Sequence, residues 1–345
     1  MNKSIEKMES PAMLEELLSL PSKELVQYFK ELKGDIMFLG VSGKIGPTLA
    51  KMAVRACKEA GVKKRFYGAA IFGSDQEKRQ IEEMGIETFH GNLLDSAFIQ
   101  TLPKAANVYF LAGMKFGSEE NLSLTWAVNA YLPALVAEYY KDSRIVAFST
   151  GCVYPLVPVD SGGSLESDLP EPVGEYAQSC LGRERMFEYG SLQHQTKVCL
   201  IRLNYAVELR YGVLVDIALK VKKGEAIDLS MGYFNVIWQG DVNDMVLRSL
   251  DLCDSPARIL NITGPETLSV REVALAFAKH FQVEPRFINE EAKTALLNNA
   301  ALAFKLFGQP TVSVQQIILW IAHWINDGRD ILGKPTHYEV RDGKY

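Results

Sequence analysis

The segment Asp35-Ile36-Met37-Phe38-Leu39-Gly40-Val41-Ser42-Gly43-Lys44-Ile45-Gly46-Pro47-Thr48-Leu49-Ala50 decides how the rest of this chain is read. Ile36 to Leu39 is an unbroken apolar run of strand length, and it enters a turn with glycines at 40, 43 and 46. From Pro47 the composition becomes helical. Strand, glycine turn and helix in that order suit a phosphate: main-chain N–H groups approach it without a Cβ in the way, and the helix N-terminus adds partial positive charge. Gly40, Ser42, Gly43, Lys44, Ile45 and Gly46 are therefore candidate ligands of a pyrophosphate.

Working outward, further apolar strands are expected at Phe66 to Phe72, Glu87 to Phe89, Asn107 to Leu111, Arg144 to Phe148 and Val198 to Leu203, with helical segments between them. Such alternation predicts an α/β fold, a Rossmann doubly wound parallel sheet with helices on both faces. After Leu203 it breaks down into irregular stretches, expected strands at Phe234 to Trp238 and Ile259 to Ile262, and terminal helices. These predict a smaller, interleaved C-terminal substrate lobe. The expected division is residues 1–33 as a helical extension, 34–203 with 235–262 as the dinucleotide-binding domain, and 204–234 with 263–345 as the lobe. Ser10-Pro11 and Pro21-Ser22 open two short helices in the extension.

Bulk properties narrow the partners. The chain has 345 residues, and its 37 basic and 42 acidic residues give a net charge of -5, with no basic block to neutralise a run of phosphates. Nucleic acid is not expected as a partner. The 5 cysteines are widely spaced without a Cys-x-x-Cys pair, and the 5 histidines are scattered, so no metal site is expected. The polar start, Met1 to Lys7, and the shortness of the apolar run Ile317 to Ile325 predict neither a signal peptide nor a membrane span, hence a cytoplasmic protein.

Further stretches line up behind the glycine turn. Gly91-Asn92-Leu93-Leu94-Asp95 and Leu111-Ala112-Gly113 follow it; then come Asn129, Ser149-Thr150-Gly151-Cys152-Val153-Tyr154, and Tyr176 with Glu184 eight residues later. In this order and spacing the chain resembles the extended short-chain dehydrogenase/reductases, the NAD-dependent epimerase/dehydratase family. The resemblance implies an enzyme that binds NAD or NADP and acts on a hydroxyl or carbonyl of a sugar or sugar derivative, usually as a homodimer. It implies cofactor contacts at Asn92, Leu93, Leu111, Ala112, Gly113, Asn129 and Tyr176 besides the turn. Tyr176 would exchange a proton with the substrate oxygen, Thr150 would polarise that oxygen, and Asn204 and Arg210 would face the substrate.

The chain departs from the family's pattern at the Tyr-x-x-x-Lys signature, which reads Tyr176-Ala177-Gln178-Ser179-Cys180. The family's lysine holds the nicotinamide ribose and favours the tyrosinate, and a neutral thiol does neither well. Arg183, two helical turns beyond Tyr176, is a candidate replacement charge. Cys152 resembles a family cysteine that serves as acid/base in epimerisation, although the histidine partner of that chemistry has no match here. The acidic pair of sugar dehydratases is replaced by Gly151 and Cys152, which disfavours dehydration. At the second strand's end, Ser74, Lys78 and Arg79 suit a 2′-phosphate while Asp75 suits ribose hydroxyls, leaving NAD and NADP both open. Two functional readings follow: an oxidoreductase or epimerase, or a catalytically impaired dinucleotide-binding protein.

Overall fold

In the computed structural model the described residues are 7–115 and 117–344. The first six residues of the polar start lie outside them.

Seven parallel strands form the central sheet: β1 (Ile36–Leu39), β2 (Phe66–Ala70), β3 (Glu87–His90), β4 (Asn107–Phe110), β5 (Arg144–Thr150), β6 (Lys197–Leu203) and β7 (Arg258–Ile262). Their spatial order is β3-β2-β1-β4-β5-β6-β7. Every pairing is parallel. The doubly wound sheet expected from the alternation is therefore present. All four residues of β1 are buried, and they alternate between two cores. Ile36 and Phe38 face one core, with the helices Lys23–Glu31, Gly46–Glu59 and Gln239–Arg248. Met37 and Leu39 face the other, with Leu132, Val136 and Phe187. Because the strand order reverses between β1 and β4, their carboxyl ends diverge and leave a crevice.

A third core lies outside the sheet, among the helices Val213–Lys223, Val270–Phe281 and Val314–Asn326. The apolar run Ile317 to Ile325 packs here, with Trp320 edge-on to Trp238 at 5.5 Å. Among the described residues no helix is long and apolar enough to cross a membrane.

Two features differ from the sequence expectations. The stretch Phe234 to Trp238 is not one strand. Tyr233–Phe234 pairs antiparallel with Leu268–Ser269, and Ile237–Trp238 pairs parallel with Ala206–Val207. Between them the buried Asn235 side chain accepts from Asn204 Nδ2 at 2.9 Å and donates to the Asn298 carbonyl at 2.7 Å, tying the chain to two other segments where a continuous ladder would have run. The N-terminal helices, capped by Ser10 and Ser22 as their sequence predicts, are not an appendage. Leu14 and Leu18 enter the lobe core, and Leu25 and Phe29 the sheet core, because each helix carries an apolar face that must be covered.

The last segment, 327–344, is irregular and acts as a strap. Leu332 N–H donates to the Arg210 carbonyl at 3.0 Å, and Thr336 donates from its N–H and hydroxyl to Asp216 Oδ2 at 2.7 and 2.6 Å. Arg341 donates to the Thr294 and Ser230 carbonyls at 2.7 and 3.1 Å. The strap ends against Gly174, where a Cβ would lie 2.2 Å from the Gly343 carbonyl oxygen.

Candidate active site

The glycine turn closes the top of β1. Gly40 has φ +87, a conformation that disfavours L side chains, and a Cβ there would stand 2.6 Å from Ala112 N, so the end of β4 can press against it. A Cβ at Gly46 would lie 2.2 Å from the Val41 carbonyl oxygen. The helix that follows, Gly46–Glu59, starts at Ile45, which provides no side-chain cap. Gly46 N–H donates to the Gly43 carbonyl at 3.0 Å and Pro47 has no N–H, so at this helix start it is the partial positive charge of the helix end, rather than a row of free amides, that suits an anion.

Two cavities meet at this turn and share Gly43, Leu111 and Gly113. One, of about 240 Å³, lies between Gly40, Ser42, Ala112 and the segment Gly91, Asn92, Leu93. The other, of about 380 Å³, is lined by Lys44, Ile45, Gly46, Thr150, Cys152, Tyr176 and Asn204. Together they form a groove across the sheet's switch point. The close approach that only glycine allows at Gly40 and Gly46, beside a helix N-terminus, fits a pyrophosphate between them.

Tyr176 is on the helix Gly174–His194 and Thr150 ends β5. Their hydroxyls are hydrogen-bonded, and the phenol also contacts the Cys180 thiol. Burial holds the phenol well above its usual range, with Cys180 and Cys152 adding to the effect, while Arg183 and the Thr150 bond act against it. The nearby Arg183 charge thus offsets part of the effect of burial on the phenol. Its guanidinium lies behind the cavity wall, donating to the Phe148 carbonyl at 2.8 Å and to Asn129 Oδ1 at 2.6 Å. A Cβ at Gly113 would come within 2.6 Å of Arg183 Nη2, so the glycine makes room for that charge. Asn129, buried in a π-helical turn over Ala127–Tyr131, also bonds both the N–H and the carbonyl of Met114 and the Ser179 hydroxyl. It fixes the loop after β4 to the tyrosine helix.

Cys180 is fully buried, and desolvation pushes its thiol up to about 11. It is a neutral neighbour of Tyr176 and does not line the cavity. Cys152 does line it. Deeper in, Glu184 accepts from Arg202 Nη2 at 2.7 Å and from Arg202 Nε at 3.0 and 3.3 Å, and from the Ser149 hydroxyl at 2.5 Å.

Most residues singled out in the sequence are brought together, and Arg210, Ser74 and Lys78 are not. Arg210 pairs with Glu15 at 2.7 Å and Glu208 at 3.1 Å, outside the cavity lining, because the N-terminal helix Pro11–Leu18 supplies a carboxylate that the sequence could not place. Ser74 caps the helix Asp75–Glu83 by accepting from Glu77 N–H at 3.2 Å and lines neither cavity. Lys78 pairs with Glu82 at 2.8 Å. In return the structure adds groups that sequence reasoning missed. Lys115, two residues beyond Leu111-Ala112-Gly113, lines the larger cavity and donates to the Thr336 carbonyl at 3.3 Å. Its place directly after that motif was the available signal. Lys334 and Thr336 of the strap also line the cavity, and nothing local announced them. Among the described residues no group of His, Cys, Asp and Glu could hold a metal ion.

No family model matches the chain, and no curated protein matches its sequence. Solved structures do match. The UDP-glucose 4-epimerase of Thermus thermophilus, in complex with NAD, is 20% identical, with a TM-score of 0.66 over 84% of this chain and 99% of that one. The UDP-glucuronic acid 4-epimerase of Bacillus cereus, with UDP-glucuronic acid and NAD, is 15% identical, with a TM-score of 0.69 over 85% and 99%. Pal from Bacillus thuringiensis is 16% identical, with a TM-score of 0.70 over 86% and 100%. At such identities the likeness is one of architecture. The chain has the fold of these three proteins, two of them UDP-sugar 4-epimerases, and the resemblance read from its motifs is matched by its sheet topology.

Proposed function

We propose that the chain is an NAD-dependent oxidoreductase or epimerase acting on a hydroxyl or carbonyl of a sugar derivative. The observation that carries this reading is the Tyr176 hydroxyl, bonded to Thr150, on the wall of a cavity continuous with an uncapped glycine turn. The turn amides, Asn92, Leu93, Leu111, Ala112 and Gly113 hold the dinucleotide, which supplies a hydride acceptor and donor when bound. Tyr176 moves a proton to or from the substrate oxygen, Thr150 orients that oxygen, Arg183 supplies the charge that the family takes from lysine, and Asn204 contacts the substrate. At the tip of β2 the Glu77 carboxylate accepts from Gly73 N–H at 2.7 Å, and its charge there opposes a 2′-phosphate, which supports NAD over NADP. Exposed Trp126, Tyr131, Tyr189 and Leu192, on neighbouring helices, support a homodimer. The cysteines are unbridged, as suits the cytoplasm.

A second reading, dinucleotide binding without turnover, is favoured by the neutral Cys180 in the lysine's place. NADH fluorescence titration followed by a hydride-exchange screen over aldoses, sugar acids and nucleotide sugars separates the two. Binding with turnover supports the enzyme, binding alone supports the second reading, and no binding of either nicotinamide dinucleotide removes both. In the same titration Gly46→Ala, whose Cβ displaces the Val41 carbonyl, is expected to weaken NADH binding by about tenfold or more. An unchanged affinity takes the turn out of the binding site.

A further inference from the structure

The helix that carries Tyr176, Gly174–His194, has a weakly defined start. Val173, its N-cap residue, makes no side-chain hydrogen bond to the first turn, and the chain steps into the helix at Gly174 with φ +82. Tyr176 follows two residues later, so a change in where the chain enters the helix reaches the phenol within one turn. The contact of Glu184 with Arg202 holds the helix two turns further on. Nearer the start, Trp126 Nε1 donates to Glu175 Oε2 at 2.5 Å.

The strap supplies a second contact at the start, main chain against main chain. A Cβ at Gly174 would lie 2.2 Å from the Gly343 carbonyl oxygen, and a Cβ at Gly343 would lie 2.3 Å from the Val173 carbonyl oxygen. Gly343 has φ +80 and is buried, although its neighbours Asp342 and Lys344 are exposed. Two backbones come this close only where neither carries a side chain.

A stretch without regular structure frays unless it is tied down, and this one is tied along its length. Thr336 is bonded twice to Asp216, Glu339 pairs with Lys220 at 3.1 Å, and Tyr338 is 1% exposed in the lobe core. Arg341, two residues before Gly343, donates to the carbonyls of Thr294 and Ser230 at 2.7 and 3.1 Å and to the Thr294 hydroxyl at 2.7 Å. Thr336 also lines the cavity that Tyr176 lines. One segment therefore walls the cavity and abuts the helix from which the phenol enters it.

We propose that Gly343 is a positioning residue for Tyr176. Seated by Thr336 and Arg341, it presses on Val173 and Gly174 and fixes the first turn of the tyrosine helix. Its effect on rate rests on the reading of Tyr176 as proton carrier, whereas the grip on the helix stands on the contact itself.

Gly343→Ala, Arg341→Ala and the surface control Asp342→Ala test this on the full chain. Amide hydrogen exchange followed by mass spectrometry reads the helix independently of activity. Gly343→Ala is expected to speed exchange over residues 174–180 by about tenfold or more, with exchange in β1, β4 and β5 and the affinity for NADH unchanged. Turnover is expected to fall by about tenfold through kcat with KM within about twofold, the pattern of a displaced reacting group rather than of a lost substrate contact. Arg341→Ala, which puts no strain on the backbone at 343, is expected to move both readouts in the same direction, and Asp342→Ala neither. First-turn exchange unchanged in both variants, faster exchange spread over the whole sheet, or an unaltered kcat beside a loosened helix overturns the proposal. A parent chain that binds NADH and turns over no substrate overturns the enzymatic reading instead, and the exchange result then decides by itself whether the strap holds the helix.

Discussion

Tyr176→Phe is expected to lower turnover by about 10³-fold, within the range that one positioned proton carrier contributes, while NADH still binds. The substitution removes only the hydroxyl, so the ring keeps its place beside Leu296 and Cys152 and the cavity keeps its shape. What is lost is the group that Thr150 orients and Arg183 biases towards the anion. The same phenol sets the pH dependence. Because burial holds it well above its usual range, the phenolate is a small fraction at neutral pH, and its share grows about tenfold per pH unit below that value. A reaction that needs Tyr176 as base therefore speeds up as pH rises, and in the phenylalanine variant that slope disappears. Steady-state rates across the neutral and alkaline range check both points. A variant with full activity and the same profile would move the proton-carrying role to Cys152, which lines the same cavity.

Glu184→Ala is expected to cost about 3–5 kcal/mol of stability, the usual cost of stranding one member of a buried ion pair. Glu184 and Arg202 are both 1% exposed, so the guanidinium left behind has no solvent to turn to. Ser149 also loses its acceptor. The loss reaches function because Ser149 and Arg202 are paired residues of β5 and β6, and Glu184 joins the tyrosine helix to both. That grip sets the helix's rotation, and hence the direction in which Tyr176 points two turns earlier. Glu184→Gln keeps an acceptor for both partners and is expected to cost less. Urea unfolding of the three proteins measures the difference. An alanine variant within about 1 kcal/mol of the parent would show that the pair orients the helix without stabilising the fold.

The sequence was most informative where a function depends on residues close together in the chain. The glycine turn was legible because strand, turn and helix are contiguous and because Gly40 and Gly46 occupy positions where a Cβ collides with main chain. Thr150 and Tyr176 were legible from their local strings, and the strand alternation carried the doubly wound sheet. Strand ends were less so: β2 stops at Ala70 although apolar residues continue to Phe72, since hydrophobicity marks burial and not the end of a hydrogen-bonded ladder.

By itself, then, the sequence determined the sheet, the turn and the places of Thr150 and Tyr176, all products of short-range pattern. Only the tertiary structure decided which charges enter the cavity. It removed Arg210 by pairing it with Glu15, set Arg183 behind Tyr176 under Gly113, and brought Lys334 and Thr336 across on a strap anchored at Asp216. A charged side chain takes its role from whichever partner folding places beside it, and those partners lie up to hundreds of residues away in sequence, where no local periodicity records them.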